Sequence, residues 1–211
     1  MPEPQITLHG VHRSGHVHRV ELLLRMLQIE YRFMEAPADV RGSLEFLKLN
    51  PLGQIPVLQD GAIVIADSNA ILVYLAKRYA PGSPWLPEEP VTASHVQRWL
   101  SIAAGELKYG PATARAASLW GNPADRGQAD EIADRLLRFM EGHLADRHFL
   151  AAEHPTIADL ACYSYIAHAP EGGITLEPYA ATQRWLSRIE SLPRFQPMPR
   201  SAQPLTAPRA S

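Results

Sequence analysis

Residues 50–71 read NPLGQIPVLQDGAIVIADSNAI, and this segment carries the strongest local signals in the chain. Two apolar runs, QIPVLQ and AIVIA, flank the dipeptide Asp60-Gly61. Asp-Gly between two apolar runs is a strong turn signal, so the segment predicts a β-hairpin. Asp67 and Ser68 follow the second run and favour a helix start, because both residue types cap helix N-termini. The segment therefore predicts a strand, a turn, a second strand and a helix in close succession.

Pro56 is the unusual residue of the first run. Proline offers no N–H to a β-ladder, and within sheets it is confined to edge strands, bulges and strand starts. Its position favours an edge strand, for which two interpretations stay open. Either the edge is left free to pair with a peptide ligand, or the proline prevents edge-to-edge aggregation.

The N-terminal part of the chain, residues 1–80, predicts a compact α/β layer with a mixed sheet. Apolar alternation and helical periodicity indicate the element order βαβαββα. The predicted elements are a strand at residues 5–10, a helix that follows Ser14, a strand from Tyr31, a short helix at residues 43–50, the hairpin, and the helix that Asp67 and Ser68 open.

The rest of the chain predicts a second domain of helices. Residues 81–90 hold four prolines and predict a stiff linker, and residues 91–211 follow with helical patterns. The first long helix is expected to break at Gly110-Pro111. Thr156 and Asp159 stand at capping-box spacing, which indicates a structural helix start rather than a catalytic pair. The proline-rich tail from Arg194 is predicted to be extended or mobile.

The composition narrows the classes of function. The 211 residues are 46% hydrophobic and 20% charged, with a formal net charge of −2, which is typical of a globular protein and argues against nucleic-acid binding. The apolar runs are too short to span a membrane. No charged-then-apolar pattern opens the chain, so we expect a cytoplasmic location.

The sequence offers few residues for sulfur or metal chemistry. The one cysteine, Cys162, excludes an internal disulfide and a site of several thiolates, and its apolar helical context predicts a small core residue. His9, His12, His16 and His18 lie within ten residues. Because no carboxylate or thiol stands at ligand spacing near them, the sequence predicts no metal site.

These motifs together resemble the glutathione transferase superfamily. The resemblance rests on SGHVHRVELLL, FLKLNPLGQIPVL, ADSNAILVYLAKRY and the helix start TIADL, which follow one another across both domains. It implies a thioredoxin-like domain at residues 1–80, a linker at residues 81–90 and an all-helical domain at residues 91–211. It also implies glutathione as co-substrate, no metal cofactor and a homodimer.

The resemblance assigns the backbone contact to the loop before the hairpin. It implies a cis Ile55–Pro56 bond that leaves the N–H and C=O of Ile55 free for the cysteinyl part of glutathione. Gln54 and Arg41 match positions that reach the glycine carboxylate, although Arg41 is equally interpreted as a solvated surface arginine.

The same resemblance assigns the γ-glutamyl end of glutathione to a helix start. Ser68 and its own N–H are implied to hold the carboxylate, where the helix dipole favours an anion, and Asp67 is implied to accept from the ammonium group. Ordinary N-capping by either residue is the alternative.

Ser14 is the implied catalytic residue. Family members that use tyrosine carry it at the end of the first strand, where this chain has Leu8-His9, and members that use cysteine carry it near Ser14. The resemblance is therefore to bacterial cytosolic members with a serine-type site, in which Ser14 donates a hydrogen bond to the thiolate; a plain N-cap is the alternative. His16 is open to three interpretations: a second donor, a cation when protonated, or an exposed first-turn residue.

The electrophile pocket is implied to lie between the domains. The candidate lining residues are Glu106, Tyr109, Gly110 and Trp120, with the Gly110-Pro111 break widening the cleft and the tail covering it. The expected function is conjugation of glutathione to an apolar electrophile. Two alternatives stay open: a glutathione-dependent disulfide reductase or peroxidase on the same fold, and a noncatalytic interaction module.

Overall fold

The computed structural model describes residues 5–122 and 125–201. The first domain has the order β1 (Ile6–Gly10), α1 (Gly15–Met26), β2 (Tyr31–Glu35), α2 (Ala38–Arg41), α3 (Leu44–Leu49), β3 (Val57–Asp60), β4 (Ile63–Ala66) and α4 (Ser68–Tyr79). Its sheet has the strand order β2-β1-β3-β4, with β1 parallel to β2 and antiparallel to β3, and β3 antiparallel to β4. The predicted thioredoxin-like mixed sheet is confirmed, and α2 is an additional short helix.

The second domain is helical, as predicted. It contains α5 (Pro90–Ala104), a π-turn (Lys108–Ala112), α6 (Thr113–Trp120), α7 (Arg126–His143), α8 (Ile157–Ala167), a 3₁₀ turn (Ala169–Gly172) and α9 (Ala180–Glu190). One hydrophobic core joins the two domains, because α1 and α4 pack against α8. Among the described residues there is no helix whose length and hydropathy suit a membrane span.

The hairpin forms one residue later than the sequence predicted. Asp60 pairs with Ile63, so the two-residue loop is Gly61-Ala62 rather than Asp60-Gly61. Gly61 has a φ of +57°, a value that glycine adopts without a Cβ penalty. The carboxylate of Asp60 is buried and accepts hydrogen bonds from Gln5 and Tyr74, each at 2.7 Å.

The prediction that Pro56 lies in an edge strand is wrong. β3 begins at Val57 and is an inner strand, so Pro56 stands just before the ladder, where its missing N–H removes no bond. The Ile55–Pro56 bond is cis, as the resemblance implied.

The expected helix break at Gly110-Pro111 is also wrong. The chain turns at Gly105, and both residues lie inside the π-turn that continues into α6. The hydroxyl of Thr113 donates to the Lys108 carbonyl at 2.8 Å. A π-turn adds one residue to the helical repeat and so rotates the side chains that follow.

The start of the tail, predicted to be extended or mobile, is packed against the rest of the protein rather than mobile. Met198 and Ser201 are buried, and the Gln196 carbonyl accepts from His18 at 2.8 Å. The Ser201 N–H donates to Glu171 at 3.2 Å. The remainder of the predicted tail, residues 202–211, lies outside the described residues.

Candidate functional site

A cleft of about 1300 Å³ lies between the two domains. Its first-domain wall comes from the start of α1, α2, the loop before β3 and the start of α4. Its second-domain wall comes from α5, the π-turn, α6 and Tyr165 of α8. Pockets for one small ligand are usually about 300–1,000 Å³. The cleft therefore has room for a peptide-sized ligand together with a second molecule.

All eight first-domain residues predicted for glutathione line this cleft. They are Ser14, His16, Arg41, Gln54, Ile55, Pro56, Asp67 and Ser68. Four separate segments supply them, so it is the fold that brings them together.

The residues predicted for the electrophile pocket are placed differently. Trp120 lines the cleft, whereas Glu106, Tyr109 and Gly110 do not. Tyr109 is 55% exposed. Gly110 faces α7, where a Cβ would come within 2.9 Å of the Ala133 nitrogen.

The second-domain wall is formed mainly by small residues and two cations. The residues in question are Ala103, Ala104, Lys108, Ala112, Arg115 and Ala116. The prediction missed them because it placed a helix break where the π-turn keeps the chain helical and changes which side chains face the cleft.

Ser14 caps α1 at the edge of the cleft. Its backbone is extended, and its Oγ accepts from the Val17 N–H at 3.4 Å. A hydroxyl has one proton and two lone pairs, so this contact leaves the Ser14 proton free to donate. Burial raises the pKa of the Tyr165 phenol, which lines the same cleft, and the positive charges of Arg19 and Arg115 oppose this.

His16 is half-buried and neutral near pH 7. Burial lowers its pKa to about 3, with smaller contributions from Arg19 and Lys108. Its ring meets the ring of Tyr165 edge-on at 4.9 Å between centroids. The interpretations of His16 as a protonated cation and as an exposed residue are therefore wrong, and a neutral donor remains as a proposal.

The loop before β3 presents free backbone beside the cleft. Among residues 5–122 and 125–201, no backbone hydrogen bond uses the N–H or C=O of Ile55. The Asn50 side chain holds the loop by donating to the Gln54 carbonyl at 2.8 Å and accepting from the Leu52 N–H at 3.1 Å. A peptide lying along the loop would find one donor and one acceptor at Ile55.

The start of α4 is strained and polar. Asp67 caps the helix by accepting from the N–H groups of Asn69 and Ala70 at 2.9 and 3.0 Å. Its φ of +76° is uncommon for a residue other than glycine, and such strain clusters at functional sites. The neighbouring Ser68 is 4% exposed, and its Oγ accepts from Arg19 at 3.2 Å.

Arg19 and Tyr165 are two further residues of the cleft wall that the sequence analysis missed. Arg19 lies on α1 and is 1% exposed, yet it forms part of the cleft wall. A cation within the buried HVHRV run was the only local signal for Arg19, and none pointed to Tyr165. Within the described parts of the chain, no three His, Cys, Asp or Glu residues are grouped so that they could hold a metal ion.

Family comparisons identify both halves of the chain. A family model described as the glutathione S-transferase N-terminal domain matches residues 8–85, and one described as the glutathione S-transferase C-terminal domain matches residues 102–193.

Solved structures and a curated relative give the same result. A crystal structure of a glutathione S-transferase from Pseudomonas fluorescens Pf-5 is similar, with 33% identity, a TM-score of 0.85, and coverage of 92% of this chain and 98% of the other. A glutathione transferase homolog from Drosophila mojavensis, solved with bound glutathione, has 26% identity and a TM-score of 0.82 over 90% of this chain and 89% of the other. The glutathione S-transferase GstB of Escherichia coli is 26% identical over 89% of this chain and 94% of its own length.

Proposed function

The chain belongs to the glutathione S-transferase family, and we propose that it activates glutathione as a thiolate through Ser14 and transfers it to an apolar electrophile. The observation that carries this proposal is the convergence of the eight glutathione-site candidates on one cleft. A homodimer and a bacterial serine-type subgroup remain predictions of the resemblance, and a cytoplasmic location remains a prediction from the sequence pattern.

Glutathione is proposed to lie along the first-domain wall. Its cysteinyl part would pair with the free N–H and C=O of Ile55, in the manner of a strand added to a sheet. Its γ-glutamyl carboxylate would meet Ser68 at the N-terminus of α4, where the helix dipole favours an anion. Gln54 and Arg41, which line the same wall, would reach the glycine carboxylate.

The magnitude of one hydrogen bond is sufficient for thiol activation. A thiol with a pKa near 8.5 is mostly protonated at pH 7, and lowering the pKa by about two units requires about 2.7 kcal/mol. A donor to a charged group supplies about 1.5–3 kcal/mol, and a helix N-terminus adds about 0.3–1 kcal/mol. Ser14 at the start of α1 can supply both contributions.

Apart from Ser14 and the N-terminus of α1, the proposed chemical step needs no group from the protein. The thiol proton leaves to solvent, the thiolate sulfur forms a bond to the electrophilic carbon, and the leaving group departs with its electron pair. The alanines of the second-domain wall and Trp120 suit an apolar body for this second substrate.

Turnover of Ser14→Ala tests the proposal. With an aryl halide as electrophile, kcat/KM should fall at least about tenfold while affinity for glutathione changes about twofold or less, because the lost contact is made to the thiolate. An unchanged rate would contradict the role of Ser14 and make His16 the next candidate. Activity with a bulky disulfide and none with the aryl halide would instead favour the reductase.

A further inference from the structure

Two arginines are deeply buried beside the cleft, and they differ in the partners that surround them. Arg19 and Arg115 are each 1% exposed. Arg115 forms an ion pair with Glu171, with Nε and Oε2 2.7 Å apart. Within residues 5–122 and 125–201, Arg19 forms no ion pair, and its Nε and Nη2 have no hydrogen-bond partner.

A buried cation without an ion-pair partner is costly, because hydrogen bonds to neutral groups offset only part of its lost hydration. The neutral partners of Arg19 are reached by Nη1 alone, and the Tyr165 ring lies 5.9 Å from its guanidinium carbon. Burial accordingly lowers the pKa of Arg19. Buried charges are normally paired, so this arrangement points to an anion that arrives with a ligand.

The contacts of Arg19 lead to one place on the cleft wall. Its Nη1 donates to the Ser68 hydroxyl oxygen at 3.2 Å and to the Asn69 Oδ1 at 3.0 Å. The Asn69 Nδ2 in turn donates to the Leu100 carbonyl at 2.9 Å, which fixes the amide orientation. With one Ser68 lone pair occupied by a cationic donor, the Ser68 proton remains available for an acceptor in the cleft.

We propose that Arg19 is a positioning residue for the ligand carboxylate: it holds the Ser68 hydroxyl as a donor and supplies the buried positive charge behind it. This inference rests on the proposed function, in which Ser68 receives the γ-glutamyl carboxylate of glutathione. Because Arg19 is 1% exposed, it acts mainly through Ser68 and through its field, which low-dielectric surroundings strengthen.

Calorimetric titration with two ligands tests the inference. One ligand is glutathione and the other is 4-aminobutyryl-cysteinyl-glycine, which lacks only the γ-glutamyl α-carboxylate. Arg19→Met should lose about tenfold or more in affinity for glutathione and about twofold or less for the analogue, and Arg19→Lys, which keeps the cation, should lie between wild type and Arg19→Met. Arg25→Met on the same helix, where Arg25 is 39% exposed and pairs with Glu21, should behave as wild type.

The stability of the variants separates positioning from folding. Arg19→Met removes a buried, unpaired charge, so its melting temperature should equal or exceed that of wild type. The double variant Arg19→Met, Ser68→Ala should lose less affinity for glutathione than the sum of the two single losses, since Arg19 acts in part through Ser68.

Three results would overturn the inference. The first is an equal loss of affinity for both ligands in Arg19→Met, and the second is no loss of affinity for either ligand. The third is a double variant whose loss of affinity equals the sum of the losses in Arg19→Met and Ser68→Ala. Failure of the wild-type protein to bind glutathione would overturn the proposed function itself and this inference with it.

Discussion

At Gly15 the backbone of α1 touches the ring of Tyr165, and this contact sets the position of Ser14 and His16. A Cβ at Gly15 would come within 2.8 Å of the Tyr165 Cζ, closer than real Cβ contacts allow. Tyr165 is buried and carries His16 against its edge, so it has little space to retreat. Glycine at this position is therefore a packing requirement of the site.

Gly15→Ala should destabilise the protein by about 1–3 kcal/mol through overpacking and lower turnover, because Ser14 would shift with the helix start. The matched control is Gly142→Ala in α7, where nothing lies within 4 Å of the added Cβ. Alanine should stabilise that helix position by about 0.5–1 kcal/mol. Urea unfolding measures both changes, and equal effects of the two substitutions would contradict the packing role of Gly15.

Among the helices, α8 shows how much a local motif can predict. Thr156 and Asp159 form the capping box that their spacing indicated. Asp159 does more than the motif requires, because it also accepts from the Leu150 N–H and the Trp185 Nε1–H, each at 2.9 Å. Those partners come from a loop and from α9, so no spacing in the sequence could reveal them.

Asp159→Ala should lower the free energy of unfolding by about 3 kcal/mol or more, since it leaves several buried donors without an acceptor. Asp134→Ala in α7 is the control: Asp134 pairs with Arg138 on the surface, and exposed pairs contribute little. Chemical unfolding of both variants is the measurement. If Asp159→Ala lowered the free energy of unfolding no more than Asp134→Ala does, the role of Asp159 in linking α8 to α9 and to the Leu150 loop would be contradicted.

The π-turn and α1 show why the rest of the site escaped prediction. The sequence predicted a helix break at Gly110-Pro111, but the π-turn depends on the packing of Gly110 against α7. That packing is a tertiary contact. Nine of the twelve residues of α1 are buried, because the helix packs against both α4 and α8. Arg19 is therefore buried, although its charge alone would suit an exposed position.

At the scale of the whole molecule, His18 joins three parts of the chain. Its ring nitrogens contact the Ser164 hydroxyl of α8 at 2.9 Å and the Gln196 carbonyl of the tail at 2.8 Å. Burial lowers the pKa of His18 to about 4, although the Gln196 carbonyl opposes this. The folded protein thus keeps His18 neutral at a pH where the unfolded chain binds a proton.

The stability that comes from neutral His18 is fully present above the pKa of histidine in the unfolded chain, about 6.5. It is lost as the pH falls toward the pKa of His18 in the folded protein. Each pH unit in that window contributes about 1.4 kcal/mol per histidine. The stability lost between pH 7 and pH 5 should therefore be about 2 kcal/mol smaller in His18→Gln than in wild type. His16 titrates in both proteins, so its effect cancels, and an identical pH dependence would contradict the assignment.

The first-domain half of the proposed site, apart from Arg19, was predicted from the resemblance of short motifs to a known family, and Ser14 is the residue on which the proposed chemistry depends. The most direct test is the ultraviolet titration of the thiolate of bound glutathione in wild type and Ser14→Ala. We expect a thiol pKa about two units below the free value of about 8.5 in wild type, and a rise of at least about one unit in Ser14→Ala. The same thiol pKa in both proteins would contradict the account.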